Sequence, residues 1–133
     1  MNNTNIKVSL RVIGDTYDTD EISKELCIKP TKTLKKGEPI RTTGKHYDYT
    51  AWIYGIEACE TLDVNAQLSN LRECFVDKVD KLVKLKKEFD LEISIDVAIV
   101  VEKDELPAIY MDSEVVKFVA GLDARIDFDL YIN

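Results

Sequence analysis

Long apolar runs, a basic leader segment and paired cysteines are all missing from this chain. The longest uninterrupted aliphatic run covers residues 97–101, whereas a membrane-spanning helix needs about 20 apolar residues. The start, MNNTNIKVSL, has neither the basic region nor the long apolar core of a signal peptide. The sequence therefore predicts a soluble protein without a membrane segment, and we expect it in the cytoplasm.

Cysteine and histidine are too few and too scattered to suggest a metal site. The three cysteines, Cys27, Cys59 and Cys74, include no CxxC pair, and His46 is the single histidine. An odd set of widely spaced cysteines suggests neither a disulfide framework nor a zinc knuckle. We expect free thiols in a reducing compartment, two of them buried on apolar faces, and we predict neither a metal nor another cofactor.

Basic residues are outnumbered by acidic ones, 18 against 25, which gives a formal net charge of −7. This balance argues against a general affinity for nucleic acid or anionic membranes. The charge is uneven, because residues 29–46, KPTKTLKKGEPIRTTGKH, carry a net charge of +5. The total of −7 therefore leaves −12 on the other 115 residues. We call residues 29–46 the basic flap, and its prolines and glycines predict an irregular segment.

Alternating and helical patterns divide the rest of the chain. Apolar residues at every second position predict strands over residues 6–12, 50–58, 91–101 and 126–132. Spacings of three and four residues predict three helices, with N-caps at Asp18, at Asp63 and at Asp112 or Ser113. The middle helix should run without a break over residues 64–89, and a short edge strand is expected at residues 107–111.

These elements predict an α+β protein of one domain over residues 1–133. Half-polar strands with interspersed helices favour a single, mostly antiparallel sheet of four to five strands, with the helices packed on one face. The expected architecture is a two-layer sandwich, ferredoxin-like or related.

Charges on the open face of that sheet predict which strands are neighbours. The first strand is basic there and two later strands are acidic, through Lys7 and Arg11, Glu92 and Asp96, and Asp127 and Asp129. Opposite charges on facing residues stabilise a pair of strands, and like charges destabilise it. We therefore expect the first strand beside at least one acidic strand, and the two acidic strands not directly paired.

One set of motifs extends over nearly the whole chain. Its members are Ile13-Gly14-Asp15, the Asp20-Glu21-Ile22-Ser23 run with Leu26, Ile28 and Pro30-Thr31, then Gly37, Trp52 and residues 126–131. In order and spacing the chain resembles the small bacterial proteins of domain-of-unknown-function family 4279. The resemblance implies a compact, single-domain cytosolic protein without an assigned activity, so no catalytic residue carries over from it.

The basic flap and the aromatic residues after it form the candidate ligand site. Its members are Lys32, Lys35, Lys36, Arg41, His46, Tyr47, Tyr49 and Trp52. Cations beside aromatic rings are typical of sites that bind phosphate groups or single strands. The alternative is a solvated loop whose lysines pair with the acidic body or keep an edge strand from self-association. For Trp52, packing in the core or on the sheet is the alternative to a ligand platform.

His46 carries the one catalytic hypothesis, with Asp48 as the carboxylate that would orient it. Such a pair needs a nucleophile within hydrogen-bond reach, and the sequence identifies none. We therefore assign no catalytic residue. An enzymatic role would require His46 to lie in a concave pocket in contact with Asp48 or a thiol.

We expect a non-catalytic binding or protein-interaction module that uses the basic flap. Its partner would be a protein or a small anionic ligand. Two alternatives stay open: an enzyme of unknown class that uses His46, and nucleic-acid binding through the flap, which the charge of −12 on the remaining residues opposes. The deciding observation is whether Lys35, Lys36 and Arg41 point outward or lie against acidic residues of the body.

Overall fold

The computed structural model describes residues 3–133. In chain order they form β1 (Asn5–Gly14), α1 (Thr19–Leu26), β2 (Lys32–Leu34), β3 (Thr50–Gly55), β4 (Cys59–Glu60), α2 (Val64–Phe75), α3 (Val79–Phe89), β5 (Glu92–Val101), α4 (Ser113–Gly121) and β6 (Arg125–Ile132). A 3₁₀ turn, Val76–Lys78, joins α2 to α3. Among the described residues, no helix combines the length and the apolar character that crossing a membrane requires.

The strands form one mixed sheet in the order β2-β3-β1-β5-β6, with β4 paired to one end of β1. Central β1 is antiparallel to both of its neighbours, β3 and β5. β5 and β6 run parallel, because α4 returns the chain to the other end of the sheet between them. The α+β class is confirmed. The described residues contain six strands, more than the four to five that we expected.

The core lies between one face of the sheet and the helices. Eight inward-facing apolar residues of β1 and β5 are buried, namely Ile6, Val8, Leu10, Val12, Ile93, Ile95, Val97 and Ile99. Every helix contributes to the same cluster, through residues such as Leu26, Phe75, Leu82 and Phe118. Burial of one such side chain stabilises the fold by about 1.5–3 kcal/mol, so this two-layer contact dominates the stability.

Carboxylates start three of the helices, as the sequence predicts. Asp18 accepts a hydrogen bond from the backbone N–H of Asp20, and Asp63 accepts one from that of Ala66. For α4 the two candidates were Asp112 and Ser113, and the capping residue is Asp112. These caps satisfy backbone donors that have no partner inside the helix.

The long middle helix is not continuous, contrary to the prediction for residues 64–89. Its two halves pack against different elements. The first half, α2, packs against β1 and α4, whereas the second half, α3, packs against α1. The 3₁₀ turn at Val76–Lys78 reorients the chain between these contacts, so tertiary packing overrides a regular apolar pattern. The edge strand expected at 107–111 is also absent. There, Ala108 forms an isolated parallel bridge with Asp63 at the start of α2.

The expectation about the acidic strands is half right. β1 does lie beside β5, and Arg11 Nε is 2.7 Å from Asp96 Oδ2. The prediction that the acidic strands are unpaired is wrong, because the parallel register places Asp96 directly beside Asp127. Each carboxylate has its own partners, which offset the repulsion: Ser94 Oγ donates to Asp96, and Arg125 Nε donates to Asp127 at 3.1 Å.

The cysteines are less buried than expected. Cys27 and Cys59 are exposed and Cys74 is half-buried, so the prediction of two buried thiols is wrong. Cys27 follows the last turn of α1 in a left-handed conformation, with φ of 55°, and this directs the chain away from the helix. The prediction assumed that the helical spacing continues to Cys27. Because α1 ends at Leu26, Cys27 does not lie on the buried face of the helix.

Candidate functional site

Residues 35–46 of the basic flap contain no regular helix or strand, but turns and one isolated bridge, Pro39–His46, fold them into a hairpin. After β2, the chain turns back on itself through backbone hydrogen bonds from Gly37 N–H to Tyr47 O at 2.8 Å and from Tyr47 N–H to Glu38 O at 2.9 Å. Gly37 and Gly44 have φ of 92° and 71°, a region that side chains disfavour. The glycines of the flap therefore serve a defined turn.

The hairpin is anchored on the sheet face that the helices leave open. Leu34, Ala51 and Ile53 form a small buried cluster there, and Tyr47 and Tyr49 pack against it. The two tyrosine rings meet edge to face, with centroids 6.1 Å apart. The flap thus covers part of the open face and is held by apolar contact as well as by its backbone.

Lys36 folds back onto the acidic body. Its Nζ is 2.5 Å from Asp15 Oδ1, and its backbone N–H donates to Thr50 Oγ1 at 3.2 Å. Thr50 Oγ1 donates in turn to the carbonyl of Asp15. The hydrogen bond and the charge of Lys36 lower the pKa of Asp15. For Lys36 the geometry agrees with the alternative interpretation, in which flap lysines pair with the acidic body, because its ion pair with Asp15 holds the flap against that body.

Lys32 and Arg41 meet in a groove between β2 and the hairpin. The groove has a volume of about 430 Å³ and is lined by Lys32, Thr33, Leu34, Glu38, Pro39, Ile40, Arg41, Thr42 and Tyr47. Within the part of the chain that the structure describes, neither Lys32 nor Arg41 makes an ion pair. Both cations are exposed, and with the carboxylate of Glu38 in the lining the groove keeps a formal surplus of one positive charge beside a tyrosine. We call it the flap groove.

Lys35 lines a neighbouring hollow, which shares Thr33, Leu34 and Glu38 with the flap groove. Asp18 and Asp20, at the start of α1, line that hollow with it, as does Tyr17. Burial raises the pKa of Tyr17, whose hydroxyl donates to the carbonyl of Val12 at 2.7 Å. Glu38 lines this hollow too, so three carboxylates accompany one lysine, and the hollow is a poorer anion site than the flap groove.

Of the other predicted site residues, Tyr47 lines the flap groove, whereas His46, Tyr49 and Trp52 do not. His46 is exposed on the hairpin, and within residues 3–133 it makes neither a hydrogen bond nor an ion pair with Asp48. His46 does not line the flap groove or the four hollows near it that are formed by the described residues. Tyr49 lies in a different cleft, beside Arg11 and Arg125.

Trp52 is on the opposite face of the sheet from the flap. It is fully buried against Phe75, and its Nε1–H donates to Ser23 Oγ at 3.0 Å. The burial of Trp52 fits the interpretation as a core residue. From this position, Trp52 cannot contact a ligand in the flap groove.

Sequence reasoning missed several residues that line the flap groove. Thr33 and Thr42 add hydroxyls, and Pro39 and Ile40 add apolar surface. Thr33 could have been found if β2 had been recognised, because its three residues pair with β3 at Lys32–Ile53 and Leu34–Ala51. The strand was too short to give a periodic signal.

Comparison with known proteins identifies a family but no characterised relative. The family model described as "Domain of unknown function (DUF4279)" matches residues 4–133. No curated protein and no solved structure matches the chain. Two residues of the resemblance, Gly14 and Trp52, hold structural positions: a Cβ at Gly14 would collide with the Leu91 side chain, and Trp52 lies in the core. Since the match covers nearly the whole sequence, the chain belongs to the DUF4279 family.

Proposed function

We propose that this protein is a non-catalytic binding module whose flap groove accepts an acidic segment of a partner protein. The observation that carries the proposal is the pairing state of the flap cations. Lys36 is bound to Asp15, whereas Lys32 and Arg41 line one groove together and have no ion pair within the described residues. Exposed cations without an ion pair can replace their bound water with a carboxylate of a partner.

The lining of the groove suits a carboxylate-bearing chain. The guanidinium of Arg41 can donate two parallel hydrogen bonds to one carboxylate, and Lys32 supplies a second, mobile cation. Tyr47 and Ile40 offer apolar contact to the stem of a glutamate or to a neighbouring side chain. Because the hairpin is already held by its backbone and by the tyrosines, little ordering would accompany binding.

The charge of the whole chain supports a short acidic partner over a long polyanion. Charges on the surface act over about 8 Å at physiological ionic strength. A short segment in the groove would meet mainly Lys32 and Arg41, whereas a nucleic acid strand would extend over a body that carries −12. We assign the module to the cytoplasm, since its exposed thiols Cys27 and Cys59 suit a reducing compartment.

The test compares two short peptides, oligoglutamate and oligoglutamine, for binding to the full chain. We expect the acidic peptide to bind and the neutral one not to. The Lys32→Gln/Arg41→Gln variant should weaken binding about tenfold or more, because a charge-assisted hydrogen bond contributes about 1.5–3 kcal/mol. Affinity should fall between about 50 and 300 mM salt, as screening of exposed charges requires.

The matched control is Lys84→Gln/Lys87→Gln. It removes the same charge from exposed lysines of α3 that form no ion pair in the described residues. If this control weakened binding as much as the groove variant did, the effect would be one of net charge and the proposal would be wrong. Inorganic phosphate is the competitor: full displacement of the peptide at low concentration would identify a small anion as the ligand instead of a protein segment.

A further inference from the structure

Among residues 3–133, no strand pairs with the outer edge of β6. β6 is the last strand of the sheet and pairs on one side with β5, so its other side presents unpaired backbone donors and acceptors. The strand has eight residues and contains neither proline nor lysine, two devices that commonly protect an edge. An extended segment could therefore add to the sheet here by main-chain hydrogen bonds.

Apolar side chains of β6 emerge progressively from the cover of the helices. Ile126 packs against the core cluster, but Phe128, Leu130 and Ile132 on the same face are 38%, 51% and 77% exposed. The helices thus cover the beginning of the strand and leave its second half bare. Apolar residues of an added strand would bury this row.

The opposite face of the same edge is acidic. Asp127 and Asp129 project from β6 on the open face of the sheet, and Asp96 lies directly beside Asp127. Arg125 compensates Asp127, while Asp129 has no ion pair among the described residues. An added strand would place its side chains opposite these carboxylates. Basic residues there would stabilise the pairing of the two strands, and acidic residues would destabilise it.

This charge pattern argues against a second copy of the chain as the occupant. Two β6 strands that paired antiparallel would keep each residue on its own face of the joint sheet. The two longest such registers set Asp127 opposite Asp129, or Asp129 opposite its own copy. Both place like charges in direct contact across the new interface.

We propose that the β6 edge is a docking site for an extended segment of another protein in which basic and apolar residues alternate. The basic residues lie opposite Asp127 and Asp129, and the apolar residues cover Phe128 and Leu130. This site is separate from the flap groove, since β6 and β2 are the two opposite edges of the sheet and their charges have opposite sign.

The probe is an eight-residue peptide of alternating lysine and valine, as long as β6. Binding to the full chain is measured by NMR titration, which also locates the site. We expect shift changes along β6, and affinity at least about tenfold above that of a glutamate–valine peptide of equal length. The lysine–valine peptide with alternate backbone nitrogens methylated keeps its charge but loses donors, so it should bind about tenfold more weakly or not at all.

Asp129→Lys should weaken binding of the lysine–valine peptide about tenfold, since it replaces an attraction by a repulsion. Asp80→Lys is the control, because it makes the same charge change at an exposed position of α3. Equal effects of the two variants, equal affinity of the methylated peptide, or shift changes away from β6 would each overturn the proposal. Self-association of the free chain through β6 would overturn the choice of occupant.

Discussion

Asp15 and Lys36 show how one ion pair changes the role of a charged segment. The sequence places Lys36 among six basic residues of the flap, without any sign that it differs from the others. In the structure it binds Asp15 and stabilises the flap in its folded position. An inventory of charges would therefore overestimate how much of the flap is open to a partner.

The pKa of Asp15 provides the first prediction. Lys36 lowers it from the ordinary value of 3.8, so the contribution of this pair to stability is complete above that value and is lost as the pH falls through the lowered pKa. NMR of the side-chain carboxyl carbon of Asp15 should show a titration midpoint below 3.8, and Lys36→Gln should return the midpoint toward 3.8. Lys35→Gln, next in sequence, should leave it unchanged; an equal shift in both variants would mean a diffuse effect of flap charge.

The hydrogen bond between Trp52 and Ser23 gives a second prediction at this scale. Ser23→Ala removes the acceptor of a buried indole N–H, and the free energy of unfolding should fall by about 1 kcal/mol. In a Trp52→Phe background the same substitution should cost much less, because the donor is already gone. Urea unfolding of the four proteins measures the coupling. Additive losses would show that Ser23 acts through the helix alone.

At the scale of elements, arginines compensate two carboxylates that lie side by side in neighbouring strands, Asp96 of β5 and Asp127 of β6. Arg11 is beside Asp96 and Arg125 is beside Asp127, so the two carboxylates can lie in neighbouring strands. The Nε–H of Arg11, although 2.7 Å from Asp96, is not aligned with it and has no hydrogen-bond partner in the described residues. The pair acts by charge more than by hydrogen-bond geometry.

Removing Arg11 should therefore expose the repulsion between Asp96 and Asp127. Arg11→Gln should lower the free energy of unfolding by about 1 kcal/mol more than Lys7→Gln, which removes the same charge from the same face of β1. Lys7 is exposed and has no ion pair in the described residues, so it reports the general effect of charge. Chemical denaturation measures both, and the difference should shrink when Asp96 is also changed to Asn. Equal losses from Arg11→Gln and Lys7→Gln would contradict this account.

The sequence predicted elements better than it predicted their arrangement. Strand β5 and the caps Asp18 and Asp63 follow from local rules that hold wherever the chain folds. The pairing of β5 with β6 sets Asp96 beside Asp127, and Arg125, two residues before Asp127, compensates that carboxylate, a relation that has no periodic signature. The break at Val76–Lys78 likewise depends on partners distant in sequence.

The sequence and the structure group the residues of the candidate site differently. The surplus of positive charge at residues 29–46 is visible in the sequence, and it is the reason that the flap became the candidate surface. Which cations face a groove depends on the hairpin at Gly37 and Gly44 and on Asp15, a residue before α1. Trp52 was included for its nearness in sequence, but side chains alternate along β3 and place it on the other face.

For the whole molecule, the sheet order places two different surfaces at opposite edges. The basic flap extends from β2 at one edge, and the acidic β6 forms the other. Between them, β1 is paired on both sides and buried on its helix-facing side, so it can open only when the sheet opens. The surfaces that we propose for binding thus lie at the two edges of the sheet, where each edge strand is paired on one side, and edge positions open locally more easily than the centre.

This arrangement predicts a gradient of amide hydrogen exchange across the sheet. Hydrogen-bonded amides of β1 and the centre of β5 should exchange at rates set by global unfolding, with one common dependence on denaturant. Amides of the flap hairpin and of residues 130–132 should exchange by local opening, at least about tenfold faster and without that dependence. NMR-detected exchange measures both groups in one sample. Protection of residues 130–132 equal to that of β1 in the dilute free chain would contradict an open β6 edge, and dilution would then show whether a second copy covers it.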